Sequence, residues 1–242
     1  MLKSHPLRIL LVGGILLFTS VYAVTPSKPI FADESLKSSV KELPIDSEDY
    51  CFEPNTRLNS KTSRFVEQYI TDNSENLDNI KGKSKNTFLL IDNVFKKYKL
   101  PLQLKYLAVI ESELNTQAVS KVGAVGTWQL MPQTARILGL KISETEDERK
   151  CIRKSTKAAA IYLRDLHTEF KDWLLVLAAY NCGPGPVYAA MKKSGSKNFW
   201  MLQKFLPAES RIHVHKFIAT HQYFEGKNPA TINAEMEFLA AR

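Results

Sequence analysis

Cysteine is scarce in this chain of 242 residues, which has three cysteines, at positions 51, 151 and 182. An odd number allows at most one intramolecular disulfide and leaves one thiol over. Cys51 and Cys151 are one candidate pair, which the sequence alone does not establish. The spacing of the three residues matches no zinc-binding pattern, so a zinc site is not expected.

Long runs of alternating apolar and polar residues, which are typical of half-buried strands, are also scarce. From Ser63 onward the apolar residues recur at helical spacing instead, and no internal repeat is present. The sequence therefore predicts a mainly α protein with one folded domain. We expect Ser155 and Asp172 to be N-caps, and the predicted helical segments are 65–70, 88–95, 104–111, 132–138, 155–170, 173–181, 187–193 and 209–224.

A long apolar run occurs near the start of the chain. Lys3 and Arg8 precede apolar residues 9–18, and Val21-Tyr22-Ala23 resembles a cleavage site. This three-part pattern predicts a secretory signal peptide over residues 1–23. The run is shorter than the ~20 residues that cross a membrane, although an uncleaved anchor is the alternative.

The remainder of the chain divides by composition into three parts. Residues 24–60 are rich in Ser, Pro and charged residues, which predicts a tether or a loosely ordered lead-in. We expect residues 61–225 to form the folded domain and residues 226–242 to form a C-terminal tail. The net charge of +8 includes Lys3 and Arg8, so the chain without its first 23 residues is near +6.

A basic exported protein meets anionic partners in the cell envelope, such as carboxylates of the cell wall or lipid head groups. Nucleic acid is not expected as a partner, because the basic residues are dispersed rather than clustered. An association with the membrane stays open, and the sequence names no protein partner.

The stretch AVIESELN, residues 108–115, places a carboxylate on an apolar helix face. Leu104, Leu107, Ala108 and Glu111 are spaced as one face of a helix. Glutamate is rarely buried unless it is paired or functional. Desolvation favours the neutral carboxyl form, which a general acid needs near neutral pH. A structural glutamate at the edge of the stripe is the alternative.

Several ordered motifs follow Glu111 in the sequence. They are Glu111-Ser112, Ala118-Val119-Ser120, Gly123-Ala124, Gly126-Thr127-Trp128-Gln129, Met131-Pro132, Asp147-Glu148-Arg149, Ser155-Thr156-Lys157-Ala158-Ala159, Ala179-Tyr180-Asn181 and Phe205-Leu206-Pro207-Ala208-Glu209. Together they resemble the soluble lytic murein transglycosylases, which share the fold of goose-type lysozyme, and within them the branch of membrane-bound lytic murein transglycosylase D. The resemblance extends from about residue 60 to about residue 225. It implies a lysozyme-like helical domain with a deep substrate groove.

The resemblance also implies site residues and a bacterial periplasmic or envelope location. The catalytic acid of the family corresponds to Glu111, and the residues that line its sugar site correspond to Ser120, Gly126, Gln129, Tyr180 and Asn181. The Gln129 amide can donate to and accept from a sugar, and Gly126 would let backbone approach the ligand. Tyr180 offers a phenol that could orient the acid, while Asn181 is placed to hold a helix end.

The implied substrate is the peptidoglycan glycan strand, and the implied reaction needs neither a cofactor nor a metal. Glu111 would protonate the bond between N-acetylmuramic acid and N-acetylglucosamine, and would then deprotonate the C6 hydroxyl to form a 1,6-anhydro end. No second acid in the matched motifs takes the role of a catalytic partner, although most glycosidases use two acids. Asp147 and Glu148 are available, but they lie in a charged run. A lysozyme-like hydrolase and a non-catalytic glycan-binding protein on the same fold are the alternatives.

A few positions depart from the family pattern. The chain has Thr116, Thr127 and Cys182 where other residues are usual, and His213 stands where a tyrosine is expected. We interpret Cys182 as a packed thiol rather than a nucleophile. We interpret His213, His215 and His221 as surface or packing residues rather than metal ligands. We interpret the charged run ETEDERK at residues 144–150 as a solvated loop in which Arg149 has a structural pairing.

Overall fold

The structure, a computed structural model, describes residues 60–226 together with residues 234 and 236. This part of the chain is helical, and it contains isolated β-bridges but no extended strand. The mainly α fold class is therefore confirmed. The helices are α1 (Ser60–Lys83), α2 (Lys85–Lys97), α3 (Lys105–Ser112), α4 (Pro132–Ile137), α5 (Ile152–Phe170), α6 (Trp173–Cys182), α7 (Pro184–Ser194), α8 (Phe199–Leu202) and α9 (Ala208–Glu225), with 3-10 turns at Leu102–Leu104, Glu148–Lys150 and Gln203–Phe205.

Helix α6 is the centre of the fold. Every residue from Trp173 to Ala179 is buried, as expected for a helix that is apolar on all sides. The Asp172 carboxylate accepts a hydrogen bond of 3.0 Å from the Leu175 backbone N–H, so the predicted N-cap is confirmed. The helix ends at Cys182, and the next helix begins two residues later because Pro184 fits a first turn.

The surrounding helices bury their apolar faces against α6 and against each other. Helix α9 packs on α1, α3 and α6, while α5 packs on α2 and α6. The Trp128 ring is fully buried against Phe95, with ring centroids 5.6 Å apart. Its indole N–H donates to the Thr156 hydroxyl at 2.9 Å. One core thus connects the helices with the loop that contains Trp128.

Helix α3 is short, and it is fixed on several sides. The apolar stripe predicted for it is confirmed, because Leu104, Leu107 and Ala108 are fully buried. At its start the Lys105 ammonium contacts the Asp92 carboxylate of α2 at 3.3 Å. The neighbouring Tyr106 hydroxyl donates to Glu225 of α9 at 2.5 Å. These contacts set the direction of the helix that contains Glu111.

Two details of the sequence prediction are wrong. Ser155 is not an N-cap, because α5 begins at Ile152 and the Ser155 hydroxyl donates to the Cys151 carbonyl at 3.0 Å within the first turns. Helix α7 starts at Pro184 rather than at residue 187. The short helix predicted near residues 132–138 is confirmed as α4.

Some predictions concern residues that the structure does not describe. The signal peptide, the tether up to residue 59 and Cys51 of the candidate Cys51–Cys151 pair lie outside the described residues. Within residues 226–242, Met236 is fully buried and belongs to the core. Among the described helices, none has both the length and the apolar character that crossing a membrane requires.

Replacing Thr156 by valine tests how the core holds Trp128. The Thr156→Val side chain keeps the volume but leaves the buried indole N–H without its acceptor. We expect a loss of about 1–3 kcal/mol in the free energy of unfolding, measured by urea denaturation. The matched control is Thr168→Val on the same helix, where the exposed hydroxyl donates to the Arg164 backbone carbonyl. This variant should change stability by less than ~0.5 kcal/mol. Equal effects of the two variants would contradict the role of the buried bond.

Candidate active site

Glu111 lies in the last turn of α3, with its side chain 15% exposed. Its Oε1 atom is 2.9 Å from Nε2 of His213, which α9 brings across 102 residues of sequence. The next residue in the sequence, Ser112, donates its hydroxyl hydrogen to the Thr127 carbonyl at 2.9 Å. The carboxyl group is therefore half-buried and is bonded to α9, while the residue beside it is bonded to the loop that follows α3.

The backbone turns sharply directly after Glu111. Glu113 and Leu114 both have positive φ, +55° and +67°, a conformation that residues other than glycine rarely adopt. The Leu114 N–H donates to the Ala108 carbonyl at 3.2 Å, and the Asn76 amide holds the Glu113 side chain at 2.9 Å. Strained backbone of this kind is typical of functional sites, and here it ends α3 one residue beyond the acid.

Tyr180 comes to the same place from the end of α6. Its hydroxyl donates to the Trp128 carbonyl at 2.7 Å. Burial, and then the charge of Glu111, raise the pKa of Tyr180 well above its ordinary value. The phenol is therefore neutral at physiological pH, and its proton is used to hold the loop rather than to contact Glu111 directly.

Asn181 follows Tyr180 and contacts α9 instead of the loop. Its Oδ1 atom accepts a hydrogen bond of 2.8 Å from the Ser210 hydroxyl. Ser210 lies one helical turn before His213, so this bond fixes the part of α9 that reaches Glu111. Asn181 is thus connected to Glu111 indirectly, through Ser210 and His213 of α9.

Ser120 organises the tip of the loop between α3 and α4. Its hydroxyl accepts from the Ala124 N–H at 2.9 Å, and its backbone N–H donates to the Ala124 carbonyl at 2.9 Å. Gly123 closes the turn by donating to the Ser120 carbonyl at 3.1 Å. Ser120 is therefore a turn-forming residue of this loop.

Gly126 allows the loop to approach the segment before α5. Its φ is +81°, and a Cβ atom built on it would lie 2.1 Å from the Arg149 carbonyl oxygen. Gln129, which also has positive φ (+45°), folds back so that its Nε2 donates to the Gly126 carbonyl at 2.8 Å. With Nε2 used in this way, the Gln129 Oε1 atom is the part of the amide suited to accept from a ligand.

The Arg149 side chain bonds to the loop between α3 and α4 at two points. Its Nη1 donates to the carbonyls of Gly123 at 2.8 Å and Leu130 at 3.0 Å, while its Nη2 contacts the Asp147 carboxylate at 2.7 Å. This guanidinium lowers the pKa of Asp147 below its usual range. The predicted structural pairing of Arg149 is confirmed.

The prediction that the charged run at residues 144–150 is solvated is wrong for Glu148 and Arg149. Glu148 and Arg149 are 7% and 6% exposed. Glu148 accepts from the Lys141 N–H at 2.7 Å and from the Lys154 ammonium, and these contacts lower its pKa. The two acids nearest to the motifs, Asp147 and Glu148, are thus used to support the loop.

His213 is the site residue that the sequence interpretation missed. It is 8% exposed and bonds to Glu111, so it is neither a surface residue nor only a packing residue. The signal in the sequence was its place where the resemblance expects a tyrosine. His215 points elsewhere and bonds to Gln203 at 3.2 Å, and His221 is fully buried in the core.

The structure also locates Cys182, at the end of α6. Its Sγ donates to the Ala178 carbonyl at 3.2 Å, and burial raises the pKa of the thiol. A raised pKa disfavours the reactive thiolate, which agrees with a packed thiol. Within the described part of the chain, no group of three or more His, Cys, Asp or Glu residues is arranged to hold a metal ion.

Comparison with known proteins adds evidence of kinship. Residues 90–203 match the family described as "Transglycosylase SLT domain". The chain is 39% identical over 129 residues to a protein of Escherichia coli strain K12 named "Membrane-bound lytic murein transglycosylase D". The match covers 51% of this chain and 28% of that relative, so the chain spans well under half of the relative's length.

Solved structures show a similar fold. The lytic transglycosylase Slt from Pseudomonas aeruginosa, as an inactive mutant, superposes with a TM-score of 0.50 at 25% identity, covering 59% of this chain and 25% of that one. A 70-kDa soluble lytic transglycosylase in complex with bulgecin A superposes with a TM-score of 0.53 at 19% identity, covering 76% of this chain and 33% of that one. The predicted lysozyme-like helical fold is confirmed.

Gly126→Ala tests the close approach of the loop to Arg149. The added methyl group meets a backbone carbonyl and also strains a positive φ. The Gly123→Ala control has a similar φ of +87° and open space around its Cβ, so it carries only the φ cost of roughly 1–2 kcal/mol. We expect Gly126→Ala to lose clearly more stability than this control in thermal and urea unfolding. Equal losses would contradict the contact.

Asp147→Asn tests the ion pair that supports the loop. The folded-state pKa of Asp147 lies below the unfolded value of ~3.9. Its contribution to stability is therefore present above about pH 4 and is lost as pH falls through the folded-state pKa. We expect the variant to be less stable than the wild type by roughly 1–3 kcal/mol at neutral pH, with a gap that narrows below pH ~4.

The control for that experiment is Glu144→Gln, an exposed residue of the same charged run. It removes the same charge without touching Arg149. The measurement is urea unfolding at a series of pH values from neutral to about pH 3. The compared quantity is the difference in the free energy of unfolding between each variant and the wild type. The ion-pair explanation would be contradicted if this difference were constant with pH for Asp147→Asn, or if Glu144→Gln showed the same dependence on pH.

Proposed function

We propose that this protein, whose residues 90–203 match the family described as "Transglycosylase SLT domain", is a peptidoglycan lytic transglycosylase. The observation that carries the proposal is the setting of Glu111, a half-buried acid hydrogen-bonded to His213 beside Tyr180. Asp147 and Glu148, the other acids that the sequence offers for a catalytic pair, are held by cations and backbone amides. The proposal therefore gives Glu111 the parts of both acid and base.

In the first step Glu111 acts as a general acid. Its carboxyl proton moves to the glycosidic oxygen between N-acetylmuramic acid and N-acetylglucosamine, and the bond from C1 to that oxygen breaks. The acetamide carbonyl of the muramic residue shields the positive charge that develops at C1. General acid catalysis of this kind contributes typically about 10²–10⁴-fold, and orientation by the site supplies the remainder.

In the second step the Glu111 carboxylate acts as a base. It takes the proton of the C6 hydroxyl of the same sugar, and the C6 oxygen forms a bond to C1. The product is a 1,6-anhydromuramic end, and Glu111 is protonated again, as it was at the start. No water is consumed, so the reaction is an intramolecular glycosyl transfer that closes a ring rather than a hydrolysis.

The remaining site residues have supporting parts in this proposal. The Gln129 Oε1 atom accepts from a sugar amide or hydroxyl, and Gly126 and Ser120 give the loop the shape that presents Gln129. Tyr180 anchors that loop through the Trp128 carbonyl. Asn181 fixes α9 through Ser210. Each residue thus controls the position of a surface that faces the glycan.

The same proposal covers organisation and location. We assign residues 61–225 to the catalytic unit and residues 1–23 to an export signal, because the N-terminal pattern is that of a secretory peptide. Peptidoglycan lies in the bacterial envelope, and the positive net charge of the chain favours binding to its carboxylates. The E. coli relative is described by its name as membrane-bound, which supports an envelope location.

The experiment is mass spectrometry of the fragments that the protein releases from purified peptidoglycan. Wild-type protein should release fragments that end in 1,6-anhydromuramic acid. Glu111→Gln should lower their rate of release by about 10²-fold or more, because an amide cannot transfer the proton. The variant is isosteric, and its amide oxygen can still accept from His213, so the fold should be retained.

The control is Glu75→Gln on the exposed face of α1, which should release anhydro fragments at the wild-type rate. Reducing-end fragments, about 18 mass units heavier because water is added, would make the protein a hydrolase and overturn the ring closure. Binding to peptidoglycan without fragments from the wild type would favour a non-catalytic glycan-binding protein.

A further inference from the structure

We infer that His213 is a positioning residue of the proposed reaction: its Nε2–H donates to Oε1 of Glu111, which assigns the transferred proton to Oε2. The inference rests on the proposed function for its catalytic meaning. The hydrogen bond itself is a property of the fold.

The contact between the two side chains is close and enclosed. Nε2 of His213 is 2.9 Å from Oε1 of Glu111, and the two side chains are 10% and 15% exposed. The second ring nitrogen, Nδ1, is buried and has no hydrogen-bond partner among the described residues. Among the described residues, the imidazole therefore has one polar contact, and that contact is Glu111.

The environment of Nδ1 selects the tautomer of the ring. A proton on Nδ1 would be a buried donor without an acceptor, which costs about 1–3 kcal/mol. An imidazolium would carry that same unpaired donor together with a buried charge. The neutral ring with its proton on Nε2 avoids both, and in that form Nε2 donates and Oε1 accepts.

This direction of the hydrogen bond distinguishes the two oxygens of Glu111. An oxygen that accepts the Nε2–H is poorly placed to hold the catalytic proton, so the proton resides on Oε2. The same bond persists when Glu111 becomes a carboxylate, because Oε1 is an acceptor in both states. One oxygen thus serves to hold the group in place, and the other carries the proton to and from the sugar.

Position along α9 is fixed independently of Glu111. Ser210, one turn before His213, donates to Asn181 at the end of α6. Val214 and Phe217 on the same helix are fully buried in the core. The imidazole is therefore carried on a rigid element, which is what accurate positioning of a catalytic group requires.

The first experiment is ¹⁵N NMR of protein labelled in its histidine rings, with His213→Gln used to assign the signals. We expect the His213 ring to be uncharged at neutral pH, with its proton on Nε2 and with Nδ1 unprotonated. A ring protonated on Nδ1, or on both nitrogens, would overturn the inference. This measurement needs no turnover, so it gives an answer even if the protein proves not to be a transglycosylase.

The second experiment compares two replacements in steady-state kinetics on soluble glycan strands. His213→Leu removes the donor, and we expect kcat to fall about 10–100-fold with KM within about twofold, as misplacement of a catalytic group does. His213→Gln supplies an amide N–H that can reach Oε1, and it should recover most of the lost kcat. A purely structural role would instead make activity follow thermal stability in both variants.

The control is His215→Leu, a half-buried histidine on the same helix that contacts Gln203 rather than Glu111. It should leave kcat within about twofold of the wild type. Wild-type kcat in His213→Leu, or an equal loss in His213→Gln, would overturn the inference while the anhydro product of the wild type upholds the proposed function. If His213→Leu does not fold, the NMR result and His213→Gln decide.

Discussion

The shape of the site depends on the hydrogen bonds that the buried guanidinium of Arg149 donates to the loop between α3 and α4. A loop has few repeating backbone hydrogen bonds of its own, so its carbonyl groups need other donors. Arg149 donates to the carbonyls of Gly123 and Leu130, which stand near the two ends of the turn that contains Gly126. Asp147 neutralises the charge that this arrangement buries.

The loop held in this way also connects to both helices that contribute to the site. Ser112, beside the acid, donates to the Thr127 carbonyl, and Tyr180 donates to the Trp128 carbonyl. The backbone of residues 127 and 128 therefore receives one bond from α3 and one from α6. Movement of the loop would therefore shift Glu111 and Tyr180 together. The side chains of Ser112 and Tyr180 bond to the loop backbone and so hold it in place.

The acid itself is controlled from the opposite side. Burial of a carboxyl group is unfavourable unless it is hydrogen-bonded, and His213 provides that bond from α9. An imidazole differs here from the tyrosine that the resemblance leads one to expect, because a phenol has one polar atom and an imidazole has two. The second nitrogen is buried without a hydrogen-bond partner in the described part of the chain, and this selects the tautomer in which Nε2 donates to Glu111.

Local chemistry allowed much of the fold to be predicted from the sequence. The apolar face of α3, the Asp172 cap and the end of α6 before Gly183 each follow from residues within one or two turns of the chain. Ser155 was assigned wrongly as a cap because serine is also compatible with the first turns of a helix, where its hydroxyl bonds to a backbone carbonyl. Helix starts are set by such local competitions, which sequence patterns resolve poorly.

By itself the sequence determined that the described domain is helical and that a carboxylate lies on the buried side of α3, since both depend on the spacing of neighbouring residues. Tertiary structure decided which groups meet that carboxylate. His213 is 102 residues away in sequence, and Arg149 reaches the loop across 26 residues. Spacing within one helix cannot specify such contacts, because they arise from the packing of α9 and α5 around a common core.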